Sequence, residues 1–403
     1  MRRIALSLVS LTALAVAGCS APSDTAVAQS EAAPAPLREG TTPIQASDSY
    51  YQSAAEAVDT RIQQRGVKSA KNVILFVGDG MSIPTITAAR IYAGQQRGLD
   101  GESYTLTMDT LPHMALSKTY SHDFQVSDSA STATAMVTGA KVNSRTLGIL
   151  KEASFGNCAS VEGHTTDSIF ELAERSGLAT GLVSTARLTH ATPASAFAKT
   201  PSRDWEDDSS LKGGAAGDCK DIARQFIEWP EGDGFEVALA GGRAHFTTSE
   251  EADPEAENRT GSRTDGRDLT AEWTAKSEDH VYVTDKAGFE AVDIASGAKV
   301  LGLFEPSHMK FALDRDEDPA GEPSLVDLTK AAITRLSQDE DGFVLLVEGG
   351  RIDHGHHGVS AARALSETDE LDQAVAAALE MTNADETLII VTADHSHTMT
   401  ISG

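Results

Sequence analysis

Six short runs of the chain are apolar without the in-out alternation of a half-exposed strand: Asn72–Val77, Ala179–Ser184, Glu236–Ala240, Lys299–Leu303, Phe343–Val347 and Thr387–Thr392. Val, Ile, Leu and Phe dominate them, the composition of parallel strands covered on both faces. Between them, helical patterns run over Ser129–Thr138, Thr166–Ser176, Ser324–Leu336 and Glu367–Met381, and a shorter one precedes the first strand at Ser53–Gln64. Strand and helix alternate. This predicts an α/β fold: a three-layer sandwich with a central, mostly parallel β-sheet flanked by helices. Thr247–Asp268 is acidic and nearly devoid of apolar residues, which reads as a surface loop or small insertion. No internal repeat is visible.

The pattern breaks at the N-terminus. Arg2 and Arg3 precede an apolar stretch, Ile4–Ala17, that is too short for a comfortable membrane span. Val16-Ala17-Gly18-Cys19 has the form of a bacterial lipobox, in which Cys19 is lipidated and becomes the first residue of the mature protein. Ser20 in place of aspartate points to sorting to the outer membrane. The expected organisation is a lipoprotein signal peptide at 1–19, a flexible Ala/Pro/Ser/Thr/Glu-rich linker at 20–48 and one folded domain at 49–403. The protein is then exported and held by a lipid at Cys19, with periplasmic or extracellular release as the alternative.

Charge narrows the partners. A net charge of -27 over 403 residues argues against nucleic-acid binding, which needs a basic face. It does not exclude an anionic substrate, because bound cations reverse the sign of a local field. With Cys19 lipidated, Cys158 and Cys219 remain. Export permits a disulfide between them, against the alternative of two buried thiols.

Ligands of such sheets bind beyond the carboxyl ends of the strands. Three predicted strands deliver chemistry there: the first runs into Gly78-Asp79-Gly80, the fifth into Glu348 and on through Arg351-Ile352-Asp353-His354-Gly355-His356-His357, the sixth into Asp394-His395-Ser396-His397. One aspartate after a strand is usually a helix cap. Three such deliveries, two with imidazoles, suit metal ions: Asp with His for zinc, all-oxygen sets for magnesium. A further candidate is Asp128-Ser129-Ala130, which opens a helix of small residues. Helix N-termini favour anions, although a serine there is by itself more often a cap.

Asp128-Ser129-Ala130, Gly78-Asp79-Gly80, the Glu348–His357 run and Thr392-Ala393-Asp394-His395 together resemble the alkaline phosphatase family, from about Ser53 to the last residue. The animal-type branch is the more similar, through Gly302-Leu303-Phe304-Glu305-Pro306. The resemblance implies an alkaline-phosphatase-like sandwich that hydrolyses phosphate monoesters through a phosphoserine at Ser129, with two Zn2+ and one Mg2+. By the same resemblance Asp79, Asp394 and His395 hold the zinc that activates Ser129, and Asp353 and His357 hold the zinc that activates water. Asp79 also reaches Mg2+, completed by Thr192 and Glu348, with His190 nearby. Arg203 grips phosphate, and Asp128, His354 and His397 stand in an outer shell. A Ca2+ site built from Glu255, the Phe304 carbonyl, Glu305 and Glu322, a Cys158–Cys219 disulfide and a homodimer are implied in the same way.

The roles have physical sense. A serine hydroxyl needs activation to become a nucleophile, and phosphoryl transfer needs chiefly positioning and charge neutralisation. A guanidinium fork matches two phosphate oxygens, so lysine is no substitute for Arg203. One family feature has no counterpart: no residue after His395 matches the histidine that completes the second zinc. The expectation is a catalytic domain lacking its C-terminal segment, with a weakened second zinc and an exposed apolar sheet edge. The rival readings are a phosphodiesterase or sulfatase on the same fold, and a non-catalytic surface protein that binds metal or phosphate.

Overall fold

The computed structural model describes residues 42–65, 69–211, 218–255 and 258–402, so Cys19, the signal segment and most of the expected linker lie outside the described residues. Seven parallel strands form one sheet: β1 (Asn72–Gly78), β2 (Ala179–Arg187), β3 (Val237–Gly241), β4 (His280–Val283), β5 (Lys299–Leu303), β6 (Phe343–Gly349) and β7 (Thr387–Ala393). Their order is β4-β5-β3-β2-β6-β1-β7. The six apolar runs all become strands. The seventh, β4, is a four-residue edge strand that is mostly half-buried, too short and too mixed to stand out in the sequence.

Both sheet faces are covered, which is why the runs lack alternation. Leu75 and Val77 of β1 join Leu182, Leu346 and Phe226 in one core; Ile74 and Phe76 join Val183, Leu345, Ile333 and Leu371 in the other. The helices include α1 (Ser49–Arg65), α2 (Ile83–Gln96), α3 (Ser129–Thr138) and α4 (Ile169–Arg175), followed along the chain by Leu325–Leu336, Arg351–His357 and Ala361–Met381. The helix α4 starts later than its pattern suggests because Ser168 and Glu171 form a reciprocal capping box. Ala361–Met381 starts six residues earlier than expected, since Ala361, Ala362 and Ala364 favour helix without adding an apolar stripe.

The segment just before residue 49 is tied to the rest of the chain. Ile44 N–H donates to Asp167 at 2.7 Å, and the buried Gln45 amide donates to the Thr138 and Asp167 carbonyls and accepts from Asp167 N–H. At least Ile44–Asp48 therefore belong to the folded body. Cys158 and Cys219 form a disulfide.

The edge strand β7 is less covered than the rest. Leu388 and Ile390 are 47% and 40% exposed, beside an apolar groove of ≈ 450 Å³ lined by Val73, Leu75, Met136, Ile169, Val344, Ile390 and Thr392. No helix among the described residues is long and apolar enough to cross a membrane.

Candidate functional site

Register builds the site. Gly78 of β1 pairs with Gly349 of β6 and with Ala393 of β7, so the residues leaving these three strands emerge side by side. Asp79, Glu348, Asp353 and Asp394 are thereby gathered, all buried. Gly80 has φ +65°, and a Cβ there would lie 2.9 Å from Asp353 Oδ1, so the turn after β1 requires glycine to let the carboxylates approach.

The first residue of α3 is Ser129. Its cap is Asp128, whose carboxylate accepts from Ala130 N–H, which leaves the Ser129 hydroxyl free of capping duty. Ser129 Oγ lies 3.3 and 3.4 Å from the Asp79 oxygens and 3.1 Å from His395 Nε2. His395 Nε2 is also 3.3 Å from Asp394 and 3.5 Å from Asp79. Because His395 Nδ1 lies 2.9 Å from the Ser396 carbonyl, the proton sits on Nδ1 and the Nε2 lone pair faces the cluster. Asp394 is fixed by N–H donors from Gly80 and His395.

Across this group stands Arg203, which donates to Asp128 at 3.0 Å and has His190 Nε2 at 3.0 Å. Burial alone would raise the Asp128 pKa, but Arg203 and the Arg145 N–H outweigh it and hold Asp128 ionised.

Four atoms in this region are buried without a hydrogen bond: His190 Nδ1, Thr192 Oγ1, Glu348 Oε1 and Asp353 Oδ1. Burial, then repulsion from Asp394, Asp353 and Glu348, pushes the Asp79 pKa well above the carboxylate range. Burial likewise lifts Glu348 to about 7, against the hydrogen bond that Ser184 donates to its other oxygen. Burial, then Arg203, keeps His190 neutral. Crowded carboxylates, neutral imidazoles and unpaired acceptors form a donor set suited to divalent cations. Three close groupings result: Asp79–Asp353–His395, Asp79–His190–Glu348 and Asp353–His357–His397. Their separations of 3.1–3.5 Å around Ser129 and Asp353 are near the edge of a tetrahedron with metal–ligand bonds of roughly 2.0–2.1 Å.

The sequence-derived residues converge with graded closeness. Asp353 and His357 share a face of the helix Arg351–His357, 3.3 Å apart. His397 reaches Asp353 at 3.5 Å, while Thr398 N–H donates to its Nδ1 and so leaves the proton on Nε2, toward the carboxylate. His356 points elsewhere, to Thr85 at 2.9 Å. His354 packs on His190 and on His308, a residue that no motif singled out. At the expected calcium site, Glu255 and Glu305 come together with Asp318, which the sequence reading missed, since it lies in the stretch before Gly321 that has no counterpart in the motif. Glu322 lies next to them, with burial and then Glu305 raising its pKa to about 8. Buried oxygens of Glu255, Asp318 and Glu322 lack hydrogen bonds, while Lys310 pairs with Glu305 at 2.8 Å.

Comparison with known proteins agrees with this geometry. The family model described as alkaline phosphatase matches residues 70–403. The tissue-nonspecific alkaline phosphatase of Gallus gallus is 43% identical over 351 residues, covering 85% of this chain and 67% of that protein. The membrane-bound alkaline phosphatase of Bombyx mori is 41% identical over 367 residues, covering 88% and 66%. The crystal structure of Thermus thermophilus alkaline phosphatase superposes with a TM-score of 0.65 at 30% identity, covering 82% of this chain and 60% of that one. The chain thus spans about two thirds of the length of these curated relatives.

Proposed function

This chain belongs to the alkaline phosphatase family, and from that premise we propose that it hydrolyses phosphate monoesters by way of a phosphoserine at Ser129. The observation that carries the reading is Ser129 Oγ, buried at a helix N-terminus and spared capping by Asp128, set between Asp79 and His395 with Arg203 bound to the adjoining Asp128.

The donor sets fit the metals of the family. Asp79, Asp394 and His395 would hold one Zn2+ beside Ser129, and Asp353 and His357 a second. Asp79, Glu348 and Thr192 would hold Mg2+, with the neutral His190 adjacent. The Glu255–Glu305–Asp318 group, with Glu322 and the Phe304 carbonyl, fits Ca2+. Bound divalent cations supply positive charge that favours deprotonated oxygen nucleophiles and neutralises the phosphoryl group.

The chain's own residues do the rest. The first-turn N–H groups of α3 and the Arg203 guanidinium bind the non-bridging oxygens of the ester. Asp128 and His190 hold that guanidinium in position. Ser129 Oγ attacks phosphorus, the bond to the leaving alcohol breaks, and water then displaces Ser129 to release inorganic phosphate. The test is rapid-quench kinetics with an aryl phosphate and added zinc and magnesium. A burst of alcohol stoichiometric with enzyme, and phosphate recovered on Ser129, are expected. Turnover without label at Ser129, or none at all in the wild type, removes the proposal.

Export and lipid anchoring at Cys19 belong to the same reading. A labelled fatty acid should enter the wild type and not Cys19→Ala. Sedimentation of the intact chain tests the homodimer.

A further inference from the structure

We propose that Arg145 selects substrates with a second anionic group on the alcohol side of the ester, such as bisphosphates and phosphorylated acids. This deepens the phosphomonoesterase reading and rests on it.

The backbone draws attention to the residue first. Arg145 has φ +66°, one of only two non-glycine residues with positive φ among the described residues. That conformation is uncomfortable for a side chain with a Cβ, and such residues concentrate where function holds them. Here the strained peptide clasps the phosphate-binding pair from both sides. Arg145 N–H donates to Asp128 Oδ1 at 2.8 Å, and its carbonyl accepts from Arg203 N–H at 2.9 Å. Residue 145 is therefore locked to the two groups that position the phosphoryl group.

The side chain leaves this anchored point for solvent. It is half exposed, lies over the Phe155 ring at 4.8 Å and pairs with Asp204, which is itself 56% exposed. An ion pair this wet exchanges readily for a competing anion. Phe155 supports the guanidinium by a cation–π contact. In a chain of net charge -27, a half-exposed cation on the residue tied to Asp128 and Arg203 attracts an anion. A neutral alcohol gains nothing from it. A second phosphate or carboxylate displaces Asp204 and takes the fork.

The test compares kcat and KM for phenyl phosphate with those for a sugar bisphosphate and for phosphoglycerate, in the metal-loaded full chain at low salt. Arg145→Gly is the informative variant, because glycine accepts the positive φ and the fold is relieved rather than strained. It should raise KM for the doubly anionic substrates about 5–10-fold, leave their kcat unchanged, and move phenyl phosphate less than twofold. Arg145→Glu should exceed that effect. Asp204→Asn, which frees the guanidinium, should lower the same KM values. Added salt should shrink the wild-type preference. Equal ratios in wild type, Arg145→Gly and Asp204→Asn would overturn the assignment while leaving the phosphatase standing. A wild type inactive on phenyl phosphate would instead remove the parent reading.

Discussion

Two acidic clusters lie at opposite ends of the same sheet, and only one keeps buried acceptors unpaired. Beyond the carboxyl ends of the strands, Asp79, Glu348, Asp353 and Asp394 face one another, and buried oxygens of Glu348 and Asp353 have no hydrogen bond. At the other end, Glu174, Asp233 and Glu236 also approach within ligand distance of each other. There the acids are served by the chain itself: Thr180 Oγ1 donates to Glu174, Thr180 N–H to Glu236, and Lys299 pairs with Glu236 and Asp233. That end also carries a cleft of ≈ 510 Å³. Neither cleft size nor acid count marks the site. Unpaired donor atoms, and a serine and a guanidinium aimed among them, do so.

The comparison breaks most easily at Asp79, which contributes to two of the three groupings. Asp79→Asn should cost at least about 10³-fold in kcat with zinc and magnesium present. In chelator the same variant should melt higher than wild type, because it removes a buried carboxylate repelled by three others. Steady-state assays and calorimetry read the two effects, and a parallel loss of stability in chelator would contradict the electrostatic account.

His357→Ala separates the halves of the reaction. Steady-state turnover should fall about 10²-fold or more while the burst at Ser129 stays within tenfold, since His357 belongs to the Asp353 group and not to the serine. Equal damage to both phases would merge the two halves.

Away from both clusters, the Cys158–Cys219 bridge closes a separation of 61 residues. Cys158→Ser should cost roughly 3–4 kcal/mol of stability, read by urea titration, with kcat at low temperature within twofold.

The smallest effect is expected at the satisfied cluster. Burial is the main cause that lifts the Glu174 pKa from 4.5 to about 7. The folded state thus holds the proton longer than the unfolded one. Stability from this group is complete below about pH 4.5 and is lost as pH rises through 7. Glu174→Gln should flatten that part of the stability profile and leave zinc affinity and kcat unchanged. A lost metal equivalent would show that this cluster binds after all.

Much of this was legible in the sequence. Continuous apolar runs followed at once by Asp79, Glu348 or Asp394 carry fold and site together, because a parallel sheet delivers strand ends to one edge. Other features were not legible. His308 lies outside any motif and meets His354 only through the packing of distant segments. Asp318 lies in a stretch without a counterpart, and nothing local says that it turns toward Glu255. Arg145 looks like any surface arginine until its φ is seen.

The order of strand and helix, the residues that must follow each strand and the place of Ser129 at a helix start were determined by the sequence alone, because hydrophobic period and helix capping are local properties. Which carboxylates stay unpaired, which of two acidic clusters the chain satisfies by itself, and which exposed cation is tied to Asp128 and Arg203 were decided by the tertiary structure. Hydrogen-bond satisfaction and charge proximity depend on neighbours hundreds of residues apart, as Gly80 and Asp394 are.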